Sequence, residues 1–149
     1  MTECMTCVLL ERRDRGEAPL WDSIVRTPLW DVVHATGTSV EGWLVLVVRR
    51  HITSVASLTD DEAAELGRLV RDVSAALQAI VDCDKTYVMQ FAEHDEHPHV
   101  HVHVVPRARD LPHERQGPRI ASLLGVPETE AVSADRMNEV ALALRRRLT

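Results

Sequence analysis

The stretch His99-Val100-His101-Val102-His103-Val104-Val105 decides the interpretation of the chain, because histidines alternate strictly with valines. In a β-strand successive side chains point to opposite faces, so the imidazoles would share one face and the valines would pack under the other. Neighbouring imidazoles would then lie about 6.6 Å apart, within reach of one phosphate-sized group. The alternative interpretations are an exposed polar strand face and a chance metal-binding cluster. Pro106 has no N–H to donate, so we expect the strand to end there.

The residues before this strand predict an antiparallel sheet. Residues 22–26 and 30–34 are predicted strands on either side of a turn, and residues 43–48 form a continuous apolar run that indicates a central strand. Thr59 and Glu62 have the spacing of a capping box, which begins a helix predicted to reach about residue 82. Residues 86–91 are the predicted antiparallel neighbour of the histidine strand. The predicted fold class is therefore α+β, an antiparallel sheet with a long helix packed on it.

The C-terminal part is predicted to be a loop at residues 107–118 followed by a last helix that Ser133 caps. We assign residues 1–110 to one domain and residues 111–149 to a C-terminal loop and helix packed on that same domain. A chain of 149 residues that is 45% hydrophobic can bury one core of this size.

Charge and hydropathy exclude several classes of partner. The net charge of −6 does not favour nucleic acid, so a polyphosphate would need a local basic or amide-rich pocket. No apolar run approaches the roughly 20 residues of a spanning helix, so we expect no membrane partner. The N-terminus has no basic region leading into an apolar stretch, and we therefore expect a cytoplasmic protein.

The histidine strand resembles the signature of the histidine triad superfamily, in which three histidines are separated by hydrophobic residues and followed by two more. The segment Glu41-Gly42-Trp43-Leu44-Val45-Leu46-Val47-Val48-Arg49-Arg50-His51 is similar to the family's glycine, core strand and basic-His segment. The resemblance covers residues 4–109. It implies that His101 attacks the α-phosphorus of a nucleotide and carries the nucleotidyl group, with His103 at the phosphoryl oxygens and His99 beside the nucleophile.

An imidazole attacks only when it is neutral, as a free histidine with a pKa of about 6.5 largely is at physiological pH. One ring nitrogen faces phosphorus only if the other donates a hydrogen bond, typically to a backbone carbonyl. Attack by the histidine and then by water replaces one difficult displacement by two easier ones.

The resemblance also implies a substrate class. It indicates a nucleotide hydrolase or transferase acting on a purine nucleotide conjugate. Gln90 resembles a substrate-binding glutamine of the fragile-type dinucleoside polyphosphate hydrolases, so these substrates come first and phosphoramidates second. Nucleotidyl transfer to a second phosphate is the alternative to hydrolysis.

Two departures from the family pattern change the expected substrate contacts. Residues 90–98 lack the glycine-rich or Ala-Gly-Gln sequence that presents backbone amides to phosphate, and Ala35 stands where relatives often carry an acidic residue or Asn for the ribose. We take His34 and His94 as further candidate substrate-binding residues. For His94 and His97 three interpretations stay open: leaving-group acid, substrate contact and solvated loop residue. The departures keep open a second class of function, a zinc-stabilised nucleotide-binding or signalling module with little activity.

Cys4-Met5-Thr6-Cys7 has the two-residue gap that lets two thiolates bind one tetrahedral zinc. A redox pair is the rival interpretation, but that motif belongs between a strand and a helix of a βαβ unit. Some bacterial histidine triad proteins hold a structural zinc with such a pair, a histidine after the central strand and the first histidine of the triad. The resemblance therefore implies structural Zn²⁺ on Cys4, Cys7, His51 and His99. It also implies a homodimer.

Overall fold

The computed structural model describes residues 3–148 and confirms the predicted α+β fold. Within that range one antiparallel sheet has the strand order β1-β2-β3-β5-β4. The strands are β1 (Val25–Arg26), β2 (Trp30–His34), β3 (Leu44–Val48), β4 (Cys83–Gln90) and β5 (His101–Ala108). The α-helices are α1 (Met5–Asp14), α2 (Asp60–Ile80) and α3 (Ala134–Leu148).

The alternation in the histidine strand separates two packed layers, as predicted. Val100, Val102 and Val104 belong to the core between the sheet and α2. His101 and His103 point to the opposite face, where His103 lies across from Val45 of β3. His99 lies two residues before the first residue of β5 rather than within the strand, because β3 pairs with β5 only up to His101. The strand thus supplies core on one side and a polar face on the other.

The predicted end of this strand at Pro106 is wrong. β5 continues to Ala108, and Pro106 lies opposite Thr86 of β4. Pairing with β3 ends at Val104, so beyond that residue one side of β5 has no neighbouring strand. A proline on that side removes no hydrogen bond between strands, although it has no N–H. The predicted loop that follows contains short 3-10 helices at His113–Arg115 and Gly117–Leu123.

Side-chain caps set the predicted N-termini of α2 and α3. The Thr59 hydroxyl accepts from the Glu62 N–H at 3.1 Å and the Glu62 carboxylate accepts from the Thr59 N–H at 2.8 Å, which confirms the capping box. Ser133 accepts from the N–H of Arg136 at the start of α3. α3 packs on α2 and buries Val140, Ala141 and Leu144 in the same core as the β5 valines.

The helix α1 was not predicted, and the first predicted strand is shorter than expected. The strand predicted at residues 22–26 is formed only at Val25–Arg26, and Asp22 instead ends a 3-10 helix at Leu20–Asp22. α1 lacks an apolar stripe, because its buried residues are Thr6, Leu10 and Arg13. The Arg13 guanidinium is held at 2.9 Å from the Asp22 carboxylate and at 3.4 Å from that of Asp31. Buried ion pairs therefore fix this helix on the sheet. Such pairs produce no periodic pattern in the sequence from which the helix could be predicted.

None of the helices between residues 3 and 148 combines the length and apolar character required to cross a membrane.

Gly42 and Gly67 provide a matched pair of substitutions that tests the packing under the site. Gly42 has a φ of +86°, and an added Cβ would lie 3.1 Å from a side-chain atom of Leu77 and 3.3 Å from one of Pro106. Gly42→Ala is expected to lower the free energy of unfolding by about 1–3 kcal/mol, because strain and overpacking add. Gly67→Ala, in an open position of α2, is expected to raise it by about 0.5–1 kcal/mol. Denaturant unfolding measures both, and a Gly42→Ala protein as stable as the wild type would contradict this packing.

Candidate active site

A cavity of about 260 Å³ lies on the histidine face of the sheet, under α1. Four elements line it: α1 contributes Thr6, Leu9, Arg12 and Arg13, β2 contributes Val33 and His34, β3 contributes Val45 and Val47, and β5 contributes His101 and His103. Trp21, Asp22, Ala35, Thr36, His97 and Leu124 complete the wall. The cavity therefore combines apolar strand residues with a cluster of imidazoles.

His101 is held in the tautomer that a nucleophile needs. Its Nδ1 lies 2.7 Å from the backbone carbonyl oxygen of His99. A carbonyl only accepts hydrogen bonds, so Nδ1 carries the proton and the lone pair of the neutral ring is on Nε2. This is the backbone contact predicted for an attacking imidazole.

His103 is held in the opposite tautomer. The indole Nε1–H of Trp43 donates to His103 Nδ1 at 2.9 Å, and an indole has no lone pair to offer in return. The neutral His103 ring therefore carries its proton on Nε2. Burial, followed by the neighbouring His101, lowers the pKa of His103 to about 4, so the ring is uncharged at neutral pH. The ring centroids of His101 and His103 are 5.1 Å apart. The lone pair of His101 and the N–H donor of His103 therefore lie side by side.

The residues Cys4, Cys7, His51 and His99 form a cluster that could hold a metal ion, with all four ligand atoms within 4.8 Å of one another. His99 Nδ1 lies 3.7 Å from Cys4 Sγ, 3.6 Å from Cys7 Sγ and 3.2 Å from His51 Nδ1. Tetrahedral zinc with ordinary bond lengths separates two nitrogens by about 3.4 Å and a nitrogen from a sulfur by about 3.6 Å. The cluster therefore has the spacing of a closed tetrahedral site.

The protonation of the cluster agrees with a ligand role. His99 Nε2 donates to the Val48 carbonyl oxygen at 2.6 Å, which leaves the Nδ1 lone pair facing the cysteines. Burial and then Cys4 raise the pKa of the Cys7 thiol to about 11, so a metal must displace its proton on binding. Because the His99 carbonyl oxygen accepts from His101, His99 links the cluster directly to His101.

His34 lines the cavity, but both of its ring nitrogens bond to the backbone. Nδ1 donates to the Ala35 carbonyl oxygen at 2.7 Å, and Nε2 accepts from the Gly42 N–H at 3.0 Å. Burial lowers the pKa of His34, in keeping with a neutral ring. His34 lies opposite Leu44, which belongs to the core under α2, so the His34 ring faces that core and the prediction that it binds substrate is not supported.

Gln90 and His94 are not brought to the cavity wall. Gln90 lies opposite Val102, so the two side chains share the sheet face that α2 covers. His94 is exposed and accepts from the Glu96 N–H. In its place His97 lines the cavity, with its Nδ1 at 2.8 Å from the Thr6 hydroxyl. Burial and then the nearby His94 and His101 lower the pKa of His97.

Trp43 and α1 contribute to this site in ways that the sequence did not indicate. Trp43 lies two residues before Val45, which faces His103, and its side chain reaches His103 diagonally across the sheet. That contact depends on the register of β3 against β5. Arg12 and Thr6 reach the cavity only because α1 lies over it.

Comparisons with known proteins agree on one family. Residues 22–110 match the HIT domain model. A histidine triad protein from Bradyrhizobium japonicum has 25% identity and a TM-score of 0.70 over 85% of this chain and 90% of that one. A comparison with curated proteins found no match.

Two further solved structures share the fold at lower identity. A hypothetical histidine triad nucleotide-binding protein from Sulfolobus tokodaii has 14% identity and a TM-score of 0.70, covering 95% of this chain and 91% of that one. A Zn-bound histidine triad family protein from Mycobacterium smegmatis has 16% identity and a TM-score of 0.62, covering 96% of both chains. At these identities the likeness shows the fold alone.

Proposed function

The chain belongs to the HIT domain family, and from this premise we propose that it is a nucleotide hydrolase or transferase acting through a covalent nucleotidyl-His101 intermediate. The observation that supports this most is the pair of opposite tautomers at His101 and His103. One ring presents a lone pair for phosphorus, and its neighbour presents an N–H for the phosphoryl oxygen.

In the first displacement the Nε2 lone pair of His101 attacks the α-phosphorus. The N–P bond forms, the bond from phosphorus to the leaving group breaks, and the leaving group departs with that electron pair. The positive charge that develops on the ring is shared with the His99 carbonyl oxygen through the Nδ1–H, 2.7 Å away. His103 Nε2–H donates to a non-bridging oxygen as negative charge builds there.

In the second displacement water attacks the same phosphorus. The O–P bond forms, the N–P bond breaks, the proton of the water passes to solvent, and His101 returns to its Nδ1–H tautomer. An acceptor phosphate in place of water makes the same step a nucleotidyl transfer. Hydrolysis and transfer thus share the first displacement and differ in the acceptor of the second.

We propose that Cys4, Cys7, His51 and His99 hold a structural zinc. The ligand distances and the free Nδ1 lone pair of His99 support this assignment, as does the Zn-bound relative from Mycobacterium smegmatis. With all four positions taken by protein ligands, a bound ion would supply a structural cross-link rather than a reactive centre. These residues join the start of α1 to the segment before β5, and so keep the His99 carbonyl oxygen at His101.

The proposed substrate is a purine nucleotide conjugate, with dinucleoside polyphosphates first and phosphoramidates second. The apolar side chains of Leu9, Val33 and Val45 in the cavity suit a base, and the imidazoles suit the α-phosphate. Because Gln90 lies on the other sheet face, the order of the two substrate classes rests on the family resemblance.

A second candidate function, a nucleotide-binding or signalling module with little activity, is favoured by one feature of the loop before β5. The N–H groups of Glu96, His97 and His99 bond within the loop, to His94 and His97. They are therefore not directed at a phosphate, as the sequence departure at this loop predicted.

Steady-state assays of purified protein against diadenosine polyphosphates and adenosine phosphoramidates separate the two candidates. The proposed function predicts release of a nucleoside monophosphate from at least one class. Tight nucleotide binding in a thermal-shift screen, with no product from either class in water or with added acceptor phosphate, would support the module and overturn the enzyme.

We propose that the chain forms a homodimer through the face containing β4 and α2. β4 is an edge strand in the monomer, where Val88 on the strand is 51% exposed and Phe91, directly after it, is 56% exposed. Light scattering is expected to give twice the 16.7 kDa chain mass at micromolar concentration. Val88→Lys combined with Phe91→Asp is expected to shift the protein to the monomer mass. A wild-type protein that is monomeric at this concentration would contradict the proposal.

A further inference from the structure

Trp43 is a buried aromatic residue whose one polar atom is directed at the reaction machinery. The side chain is 1% exposed, and its indole N–H points at His103 Nδ1, 2.9 Å away. The two rings meet edge to face, at an interplanar angle of 88°. Apolar residues surround Trp43 on the histidine face of the sheet, where it packs with Val45 and Val105. Its packing explains the bulk of the residue but not the direction of the N–H.

We propose that Trp43 is a positioning residue for nucleotidyl transfer: by giving its indole N–H to Nδ1, it holds His103 as a neutral donor whose Nε2–H faces the cavity. This inference rests on the proposed function, since it assigns His103 the task of binding the phosphoryl oxygen.

The two other forms of His103 conflict with Trp43. An Nδ1–H tautomer would direct one N–H at another and would place a second lone pair in the cavity beside that of His101. That lone pair would repel a phosphoryl oxygen and compete with His101 for phosphorus. A doubly protonated ring would also place its Nδ1–H against the indole N–H. Trp43 thus limits the site to one nucleophile and one neutral donor.

The consequence for catalysis is a change in kcat more than in KM. Complete removal of a donor that stabilises charge developing in the transition state lowers kcat by roughly 10²–10³-fold. Trp43→Phe keeps an aromatic ring but removes the N–H. His103 is still present, but no hydrogen bond from residue 43 fixes its ring orientation or its tautomer. We expect kcat to fall about tenfold or more, with KM changed less than kcat.

The direct test is the protonation pattern of the imidazoles in two-bond ¹H–¹⁵N correlation spectra of histidine-labelled protein at pH 7. The wild type is expected to show His103 with a proton on Nε2 and none on Nδ1, and His101 with the reverse. In Trp43→Phe the His103 Nδ1 resonance is expected to lose its hydrogen-bond shift and to move toward the value of an averaged or protonated ring. This measurement requires no turnover, so it stands apart from the test of the proposed function.

Trp30→Phe is the matched control. Trp30 is 0% exposed and its indole N–H donates to the Glu62 carbonyl oxygen, on the α2 side of the sheet. Trp30→Phe removes the same atoms as Trp43→Phe from a buried position, so we expect a comparable loss of stability. We expect the His103 spectrum and kcat to stay unchanged. Two results would overturn the inference: a wild-type His103 with its proton on Nδ1, or a folded Trp43→Phe protein with the wild-type His103 spectrum and kcat.

Discussion

Replacing His101 by asparagine is expected to lower kcat by roughly 10³-fold or more while the protein stays folded and keeps its metal. The asparagine amide still has an N–H for the His99 carbonyl oxygen but has no basic ring nitrogen to attack phosphorus. Turnover of the best substrate, the melting temperature and the metal content are the three readouts. Only the first is expected to change.

His113→Asn is the matched control for this substitution. His113 is an exposed histidine in the short helix His113–Arg115, away from the cavity. Its replacement is expected to leave kcat within experimental error. Undiminished turnover in His101→Asn would exclude His101 as the nucleophile.

Removing the metal is expected to have the largest effect on stability. Chelation leaves two thiols and two imidazoles without their common partner between α1 and β5, and Cys4→Ser leaves one thiol and two imidazoles. The free energy of unfolding is expected to fall by about 3 kcal/mol or more in either case. Turnover should also fall, because the His99 carbonyl oxygen that orients His101 is displaced. Metal analysis and thermal unfolding of Cys4→Ser measure the first effect.

Cys83→Ser is the control for the metal site, since Cys83 lies at the start of β4 and outside the cluster. It is expected to keep a full metal content, whatever its effect on packing. Protein purified without chelators that contains no zinc, together with an unchanged melting temperature of Cys4→Ser, would exclude the metal site.

Local patterns predicted the sheet and the helix behind it because their causes are local. The valine alternation in β5 and the capping box of Thr59 and Glu62 each depend on spacings of two or three residues. α1 escaped prediction because its anchor is non-local: Arg13 is held by carboxylates on two other segments. No periodicity in residues 5–14 records those partners.

The candidate site divides in the same way. The carbonyl contact of His101 follows from the chemistry of an attacking imidazole and the neighbouring backbone, and the structure shows it. The face of Gln90 and the reach of Trp43 depend on strand register, where a shift of one residue sends a side chain to the other side of the sheet. The spacing of Cys4 and Cys7 indicated half of the metal cluster, but the two histidines could be added only through the family resemblance, since 95 positions separate Cys4 from His99.

The central claim is that His101 becomes covalently bonded to the α-phosphorus, and trapping that bond tests it most directly. Protein mixed with a nucleotide conjugate labelled at the α-phosphorus is quenched in alkali, where a phosphorus–histidine bond survives, and is then digested and mapped. We expect label on His101 in the wild-type protein and none in His101→Asn. Turnover that proceeds with label on another residue, or with no labelled peptide at any quench time, would contradict it.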